Sequence, residues 1–347
     1  MSTTKIKAAI AGASGYTGSE LARLLAGHPD VEITMITSET HRGKPFSGLH
    51  PQFSGLLDMP LVSAGEVEGS DVDVIFLALP HGVSMEFAEK WAGHRAPLID
   101  FSGDFRLSTP EVYSQWYRKE HTYATGLKSA VYGLPEIHAS RIPSARLVAN
   151  PGCYPTTSIL ALAPLLADDL VLTDTIIIDA KSGLTGAGIS ANSTTHFSNV
   201  NDNFKAYGVT NHRHTVEIEE QCAGLCGHTV TVQFTPHLLP VDRGILATVY
   251  ARPRTATDQA SVEKLYRDFY RDQPFVRIRD EYPTIKDVRG SNFCDIKPVF
   301  DPRTNRIIVL SAIDNLVKGA AGQAVQNMNI MFGLPQETGL MHIPLQP

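Results

Sequence analysis

Residues 5–26 read KIKAAIAGASGYTGSELARLLA, and this stretch decides the fold. The apolar run 5–11 has the length and continuity of a strand buried on both faces of a parallel sheet. From Ser19 onward Leu21, Leu24 and Leu25 recur at helical spacing. Between the two, Gly12, Gly15 and Gly18 stand three apart, a G-x-x-G-x-x-G variant of the dinucleotide-binding turn. Glycine suits that turn because the backbone must bend tightly and approach a pyrophosphate, which then meets the N–H groups and partial positive charge of a helix start. Gly12, Ser14, Gly15, Tyr16, Thr17 and Gly18 are therefore expected to hold a dinucleotide. A plain βα turn would also use glycine, but the strand before and the helix after favour the cofactor.

Working outward, the runs 31–37, 72–79 and 97–101 read as further buried strands, and 147–150 as the last strand of this unit. The second of them ends at Leu79-Pro80-His81-Gly82, with a helical stretch behind it reaching Trp91. Strand ends of such a sheet face the ligand crevice, so Leu79 and Pro80 are expected to line the cofactor. Composition agrees with a soluble enzyme. The chain has 347 residues, enough for two domains, and a formal net charge of −6 with no basic block, which argues against a nucleic-acid partner. Four cysteines make no disulfide framework, and no secretory leader or membrane-length apolar run stands out, so the cytoplasm is the expected location.

The pattern changes beyond residue 150. Segments 175–181, 230–235, 245–251, 294–300 and 307–312 read as strands, the last two joined by the turn sequence DPRTN. One helix, 260–271, interrupts them. The fold class expected is an α/β Rossmann-type dinucleotide-binding domain (1–150) and an α+β catalytic and dimerisation domain with a mostly antiparallel sheet (151–315). A C-terminal helix and tail (316–347) would return to the first domain.

Cys153 lies in ANPGCYPT, after a strand and before the helical apolar run Ile159, Leu160, Leu162, Leu165 and Leu166. A helix start stabilises thiolate and offers N–H groups to an oxyanion, so Cys153 reads as a nucleophile. Cys222, Cys226 and Cys294 read as buried core thiols. The spacing Cys222, Cys226, His228 lacks a fourth ligand, and no metal is expected. A nucleophilic cysteine wants a base, and NHRHTVE supplies His212 and His214 two apart, on one face if the segment is a strand. His214 is the expected base. Arg106 in DFSGDFR has the guanidinium fork that suits a phosphate or carboxylate. KSGLTGAG, with Gly183, is a second glycine loop after a strand.

These motifs stand together in one order: GASGYTGSEL, DFSGDFR, YGLPE, ANPGCYPT, KSGLTGAG, NHRHTVEI, FTPHLLPVDRGI and DNLVKGAAGQAVQN. From about residue 5 to about residue 329 the chain resembles the N-acetyl-γ-glutamyl-phosphate reductase family, related to aspartate-semialdehyde dehydrogenase. The resemblance implies that Cys153 is the nucleophile, His214 the acid/base, and His212 a residue beside the substrate. With them go Arg213, Arg106, Ser102 and Asn150 as substrate-binding residues, and Gly183 and Asn315 as cofactor-binding ones. It implies reduction of an acyl phosphate by NADPH through a cysteine thioester, in arginine biosynthesis, by a homodimer or homotetramer. A reductase of aspartyl or N-acetyl-aminoadipyl phosphate fits the same residues. A cofactor-free cysteine hydrolase or acyltransferase, and a non-catalytic dinucleotide sensor, fit them less well.

The end of the second strand bears on the cofactor. An acidic residue there would read a ribose 2′-hydroxyl. Here the strand runs into Ser38, Glu39, Thr40, His41, Arg42, Gly43 and Lys44. The Ser38 hydroxyl and the Arg42 and Lys44 cations suit a 2′-phosphate, with Glu39 expected to point to solvent. NADP(H) is the expected cofactor.

Overall fold

The computed structural model describes residues 5–346, which form two compact units. The first runs to Pro151 and includes Ala320–Met341; the second comprises Gly152–Gly319 and the residues from His342 onward.

The first unit holds a six-stranded sheet of β1 (Ile6–Ala11), β2 (Val31–Ile36), β3 (Val74–Leu77), β4 (Leu98–Asp100), β5 (Val131–Tyr132) and β6 (Leu147–Ala149). Their order is β2-β1-β3-β4-β6-β5, and every pairing is parallel. The continuous apolar runs explain this: all four residues of β3 are fully buried, as are residues 8–11 of β1. The helix Tyr16–Ala26 buries Leu21, Leu24 and Leu25, each worth about 1.5–3 kcal/mol when removed from water. Strand order reverses between β1 and β3, which puts the ligand crevice at their carboxyl ends, at Gly12 and Leu79–Gly82. The helix Gly322–Met331 belongs to this unit, and its Gln323, Gln326, Asn327 and Asn329 are all fully buried.

The second unit holds seven strands: β7 (Ile176–Ser182), β8 (Lys205–Ala206), β9 (Val232–Leu238), β10 (Ile245–Ala251), β11 (Val276–Ile278), β12 (Cys294–Asp301) and β13 (Arg306–Ile313). Their order is β11-β12-β13-β10-β7-β9-β8. The sheet is mixed. Its centre is antiparallel, but β7 pairs with β9 and β11 with β12 in parallel. The short strands β5, β8 and β11 carry no periodic signal of their own, and they are missing from the sequence reading. Alternation in β10 turns one face inward, against the helix Cys153–Ala167. Tyr154 to Leu166 of that helix are buried, so its apolar character on every side reflects a helix enclosed by sheet and neighbouring helix. Among the described residues no helix is long and apolar enough to cross a membrane.

Candidate active site

Cys153 is the first residue of its helix and is half-buried, with extended Gly152 (φ −68°, ψ 154°) before it and no side-chain cap. Pro155 has no N–H, and the Thr156 N–H donates to the Gly152 carbonyl at 2.9 Å. The amide donors at this helix start are thus those of Cys153 and Tyr154. The Gly152 N–H donates to Glu217 Oε1 at 2.8 Å. Glu217 is fully buried and lies three residues after His214, one turn further along the same helix.

The two histidines do come together, with ring centroids 4.8 Å apart, but not by strand alternation. The helix His214–Cys226 begins at the second of them, and Arg213 is already helical. The helix start leaves orphan N–H groups, and the His214 N–H donates to His212 Nδ1 at 3.2 Å. That bond puts the proton of neutral His212 on Nε2. Burial, and then the Arg213 charge, hold the His212 imidazole at about 4, so near pH 7 it is a neutral donor.

Aromatic rings enclose the pair. Tyr154 meets His212 edge-on at 5.7 Å and His214 at 5.9 Å, and Tyr207 meets His212 at 5.5 Å. The Tyr207 hydroxyl donates to that of Tyr154 at 3.2 Å, which donates to the His237 carbonyl at 3.1 Å. Burial raises both phenols, Tyr207 to about 12, and the charge of a Cys153 thiolate pushes both further up. The field of that sulfur therefore reaches both hydroxyls, and the charge of Arg213 reaches Tyr207 and His212.

A π-helical turn, Val317–Ala321, closes on the same cysteine. It is held by buried Asp314, which accepts from the N–H groups of Leu316 and Val317 on one oxygen and of Gly290 on the other, while its carbonyl accepts from the Gly319 N–H. Asn315 has both ends of its amide engaged: Oδ1 accepts from the Gly244 N–H, and Nδ2 donates to Thr185 Oγ1. It thereby shapes the loop after Gly183 and would reach a cofactor only through that loop. A Cβ at Gly183 would stand 2.6 Å from the Asp242 carbonyl oxygen, so this glycine serves packing as well. Cys222 and Cys226 share the His214–Cys226 helix, and burial pushes the Cys222 thiol up. Among the described residues no three His, Cys, Asp or Glu side chains are grouped to hold a metal ion.

In the first unit the three fingerprint glycines differ in what requires them. A Cβ at Gly12 (φ +85°) would lie 2.5 Å from the Ala78 carbonyl oxygen, and one at Gly18 2.5 Å from the Ala13 Cα. Both are demanded by the protein itself. Gly15 has φ −90°, and a Cβ there would meet nothing within 4 Å. It opens the helix Tyr16–Ala26, which has no side-chain cap, and the open space above it fits a phosphate group. Ser14 and Thr17 are half-buried beside it, and Tyr16 is exposed.

At the end of β2, Ser38 is buried, with its hydroxyl 3.4 Å from that of Thr40. Arg42 pairs with Glu66 at 2.9 Å on the surface, a weak kind of pair that a phosphate could displace. Glu39 is exposed, yet its carboxylate is tied to the Ala64 N–H at 2.7 Å rather than left to solvent.

Three expected substrate residues have other occupations. Ser102 is 2% exposed; its hydroxyl donates to Asp100 Oδ2 and accepts from the Asp104 N–H. Asn150 is fully buried, donating to the Ala320 carbonyl and accepting from Asn327 Nδ2. Both side chains are internal fasteners, because the short polar groups at strand ends satisfy the loops around them. Arg106 is mostly buried and donates to the Phe101 carbonyl at 2.6 Å, bracing its own loop.

Comparison with known proteins now decides the family. A model of the semialdehyde dehydrogenase NAD-binding domain matches residues 7–145, and one of the semialdehyde dehydrogenase dimerisation domain matches residues 153–315. The N-acetyl-gamma-glutamyl-phosphate reductase of Desulforamulus reducens is 51% identical over 99% of this chain and 100% of its own length. That of Pelotomaculum thermopropionicum is 51% identical over 99% of each chain. The chain belongs to the N-acetyl-γ-glutamyl-phosphate reductase family. The reductase fold also matches solved structures: aspartate semialdehyde dehydrogenase II of Vibrio cholerae, complexed with ASA, superposes with a TM-score of 0.72 at 18% identity, covering 95% of this chain and 99% of that one. Aspartate semialdehyde dehydrogenase with NADP from Candida albicans superposes with a TM-score of 0.66 at 15% identity, covering 95% and 99%.

Within this reductase the residues that sequence reasoning missed are Glu217, Tyr154, Tyr207, Gly319 and Asp104. Glu217 offered one signal, its place one turn after His214. Gly319 offered another, in the run of small residues Gly319-Ala320-Ala321-Gly322.

Proposed function

We propose that this protein reduces N-acetyl-L-glutamyl 5-phosphate to N-acetyl-L-glutamate 5-semialdehyde with release of phosphate, a step of arginine synthesis. It works in the cytoplasm as a homodimer or homotetramer. The observation that carries this reading is Cys153 at a helix start, with His212 and His214 paired against the ring of the next residue, Tyr154, and Glu217 bonded to the Gly152 N–H, in a chain half identical to N-acetyl-gamma-glutamyl-phosphate reductases.

His214 takes the thiol proton, and the Cys153 thiolate attacks the acyl carbon. The carbon–sulfur bond forms as the phosphate leaves, giving a thioester on Cys153. The amide donors at the helix start receive the oxyanion, and neutral His212 donates from Nε2 to the substrate. When bound, NADPH supplies the hydride that reduces the thioester carbon. Protonated His214 then returns its proton to the departing sulfur as the tetrahedral thiohemiacetal collapses to the aldehyde. Arg213 is the cation assigned to the anionic substrate. Gly12, Ser14 to Gly18, Ser38, Arg42, Leu79, Pro80 and the Gly183 loop are assigned to NADP(H).

Reverse turnover tests this reading. N-acetylglutamate semialdehyde, NADP⁺ and phosphate should give NADPH, at a kcat/KM well above that for the aspartate or N-acetyl-aminoadipate semialdehyde. A preference for either of those would make it a reductase of the other acyl phosphate. Hydrolysis of an ester without NADP⁺ reduction would make it a cysteine hydrolase.

A further inference from the structure

Two loops follow adjacent strands of the first sheet, Leu79–Gly82 after β3 and the DFSGDFR loop after β4, and both open at the carboxyl edge where a dinucleotide binds. Asp104, in the second loop, is fully buried. Its Oδ1 and Oδ2 accept from the Gly82 N–H at 3.0 and 2.7 Å, and Oδ2 also accepts from the Met85 N–H at 3.0 Å. The Tyr113 hydroxyl donates to Oδ1 at 2.8 Å. Its own N–H donates to Ser102 Oγ, and its carbonyl lies 2.7 Å from His121 Nε2. One carboxylate thus caps the helix Val83–Lys90 and pins the turn before it.

The turn needs that pin. Gly82 sits at φ +88° under the Lys119 side chain, whose Nζ would lie 1.7 Å from a Cβ, so the backbone there is held in a conformation open only to glycine. A second tie runs the same way: the Gly103 N–H donates to His81 Nδ1 at 2.8 Å, and the His81 ring stands edge-on to Tyr117 at 5.1 Å. Leu79 and Pro80 are thereby presented in one conformation.

We propose that Asp104 is a positioning residue of the cofactor site, which fixes the Leu79–Gly82 turn in the shape that receives NADPH. The proposal rests on reading the carboxyl edge of this sheet as the cofactor site. Asp104 touches no substrate; it acts through the Gly82 and Met85 amides.

The test is titration of NADPH into the full-length protein, followed by nicotinamide fluorescence, for wild type, Asp104→Asn and Tyr113→Phe. Asp104→Asn keeps the volume but removes the charge and one acceptor, and its Kd should rise about 10-fold or more. At saturating NADPH its kcat should stay within about 2-fold of wild type, as expected when only cofactor affinity is lost. The rate of Cys153 alkylation by iodoacetamide should not change. Tyr113→Phe removes one bond to the carboxylate and should raise Kd about 2- to 3-fold. A folded Asp104→Asn variant with wild-type Kd overturns the proposal, as does a loss confined to kcat. Where Asp104→Asn yields no folded protein, Tyr113→Phe decides, and an unchanged Kd overturns it. Absence of NADPH binding by the wild type overturns the cofactor reading, and this proposal with it.

Discussion

Gly319 lies so close to Cys153 that a Cβ built on it would stand 2.8 Å from the cysteine's Cβ and 3.2 Å from its Cα. Two Cβ atoms do not approach to 2.8 Å, and Ile313 Cδ1 crowds the same position at 3.3 Å. The π-helical turn that carries Gly319 is the kind of local irregularity often found at functional sites. Cys153 is therefore seated by the absence of a side chain at Gly319.

Gly319→Ala should displace Cys153 rather than unfold the protein. Overpacking of this size costs about 1–3 kcal/mol of stability. The larger effect is on rate, because a misplacement of about 1 Å can cost about 10²-fold in kcat. Steady-state kcat, beside the rate of iodoacetamide inactivation, checks this. Wild-type kcat in the alanine variant would show that the close approach has no bearing on the thiol.

The histidines should separate by pH. His212 is held at about 4 by burial and by Arg213, so it stays neutral across the range where enzymes of this kind are assayed. His212→Asn should weaken substrate binding and leave the shape of the kcat–pH profile unchanged. His214→Asn should lower kcat by about 10²–10⁴-fold. The two roles are exchanged if His212→Asn proves the more damaging to kcat. Stability carries a second signature of His212. Its folded value lies below its ordinary value of 6.5, so the folded state loses stability as pH falls from about 6.5 towards 4. His212→Asn should remove that part of the loss.

Asp100 should act on stability in the opposite direction. It is fully buried, and burial first, then the charge of Asp104, raise its carboxyl to about 6 against the bonds from Ser102 and Ser84. Its ordinary value is 3.8, so between about 4 and 6 the folded chain binds more protons than the unfolded one. Stability is therefore lost as pH rises through that window, by an amount on the order of 3 kcal/mol once pH exceeds 6. Asp100→Asn should gain on wild type in urea-denaturation midpoint between pH 4 and pH 7. Parallel midpoint curves for the two proteins would contradict the burial account of Asp100.

Much of this architecture was legible because its signals are local. The fingerprint glycines and the apolar β1 and β3 announce a parallel sheet, and Cys153 announces itself by its place between Gly152 and an apolar helix. His212 and His214 were paired correctly for a wrong geometric reason: a turn running into a helix start joins them, where the spacing suggested a strand. The second sheet came out mixed because parallel pairing of β7 with β9 depends on a crossover between distant segments, and alternation along a strand does not reveal its partner's direction. Ser102, Asn150 and Asn315 look like ligand contacts in sequence, but each has its polar atoms matched inside the protein: Ser102 within its own loop, Asn150 and Asn315 with groups far along the chain. Glu217 and Asp104 were missed for the converse reason. An acid in a helix or a loop reads as surface charge, and only the fold shows that each is buried against backbone N–H groups that it accepts from.

The most direct measurement of the central claim is the mass of the protein after incubation with N-acetylglutamyl phosphate in the absence of NADPH. Transfer of the acyl group should leave one N-acetylglutamyl adduct per chain, on the peptide that contains Cys153. Hydroxylamine should remove it, and Cys153→Ala should neither form the adduct nor turn over. An adduct on another residue, or turnover by Cys153→Ala near the wild-type rate, would contradict the thioester route.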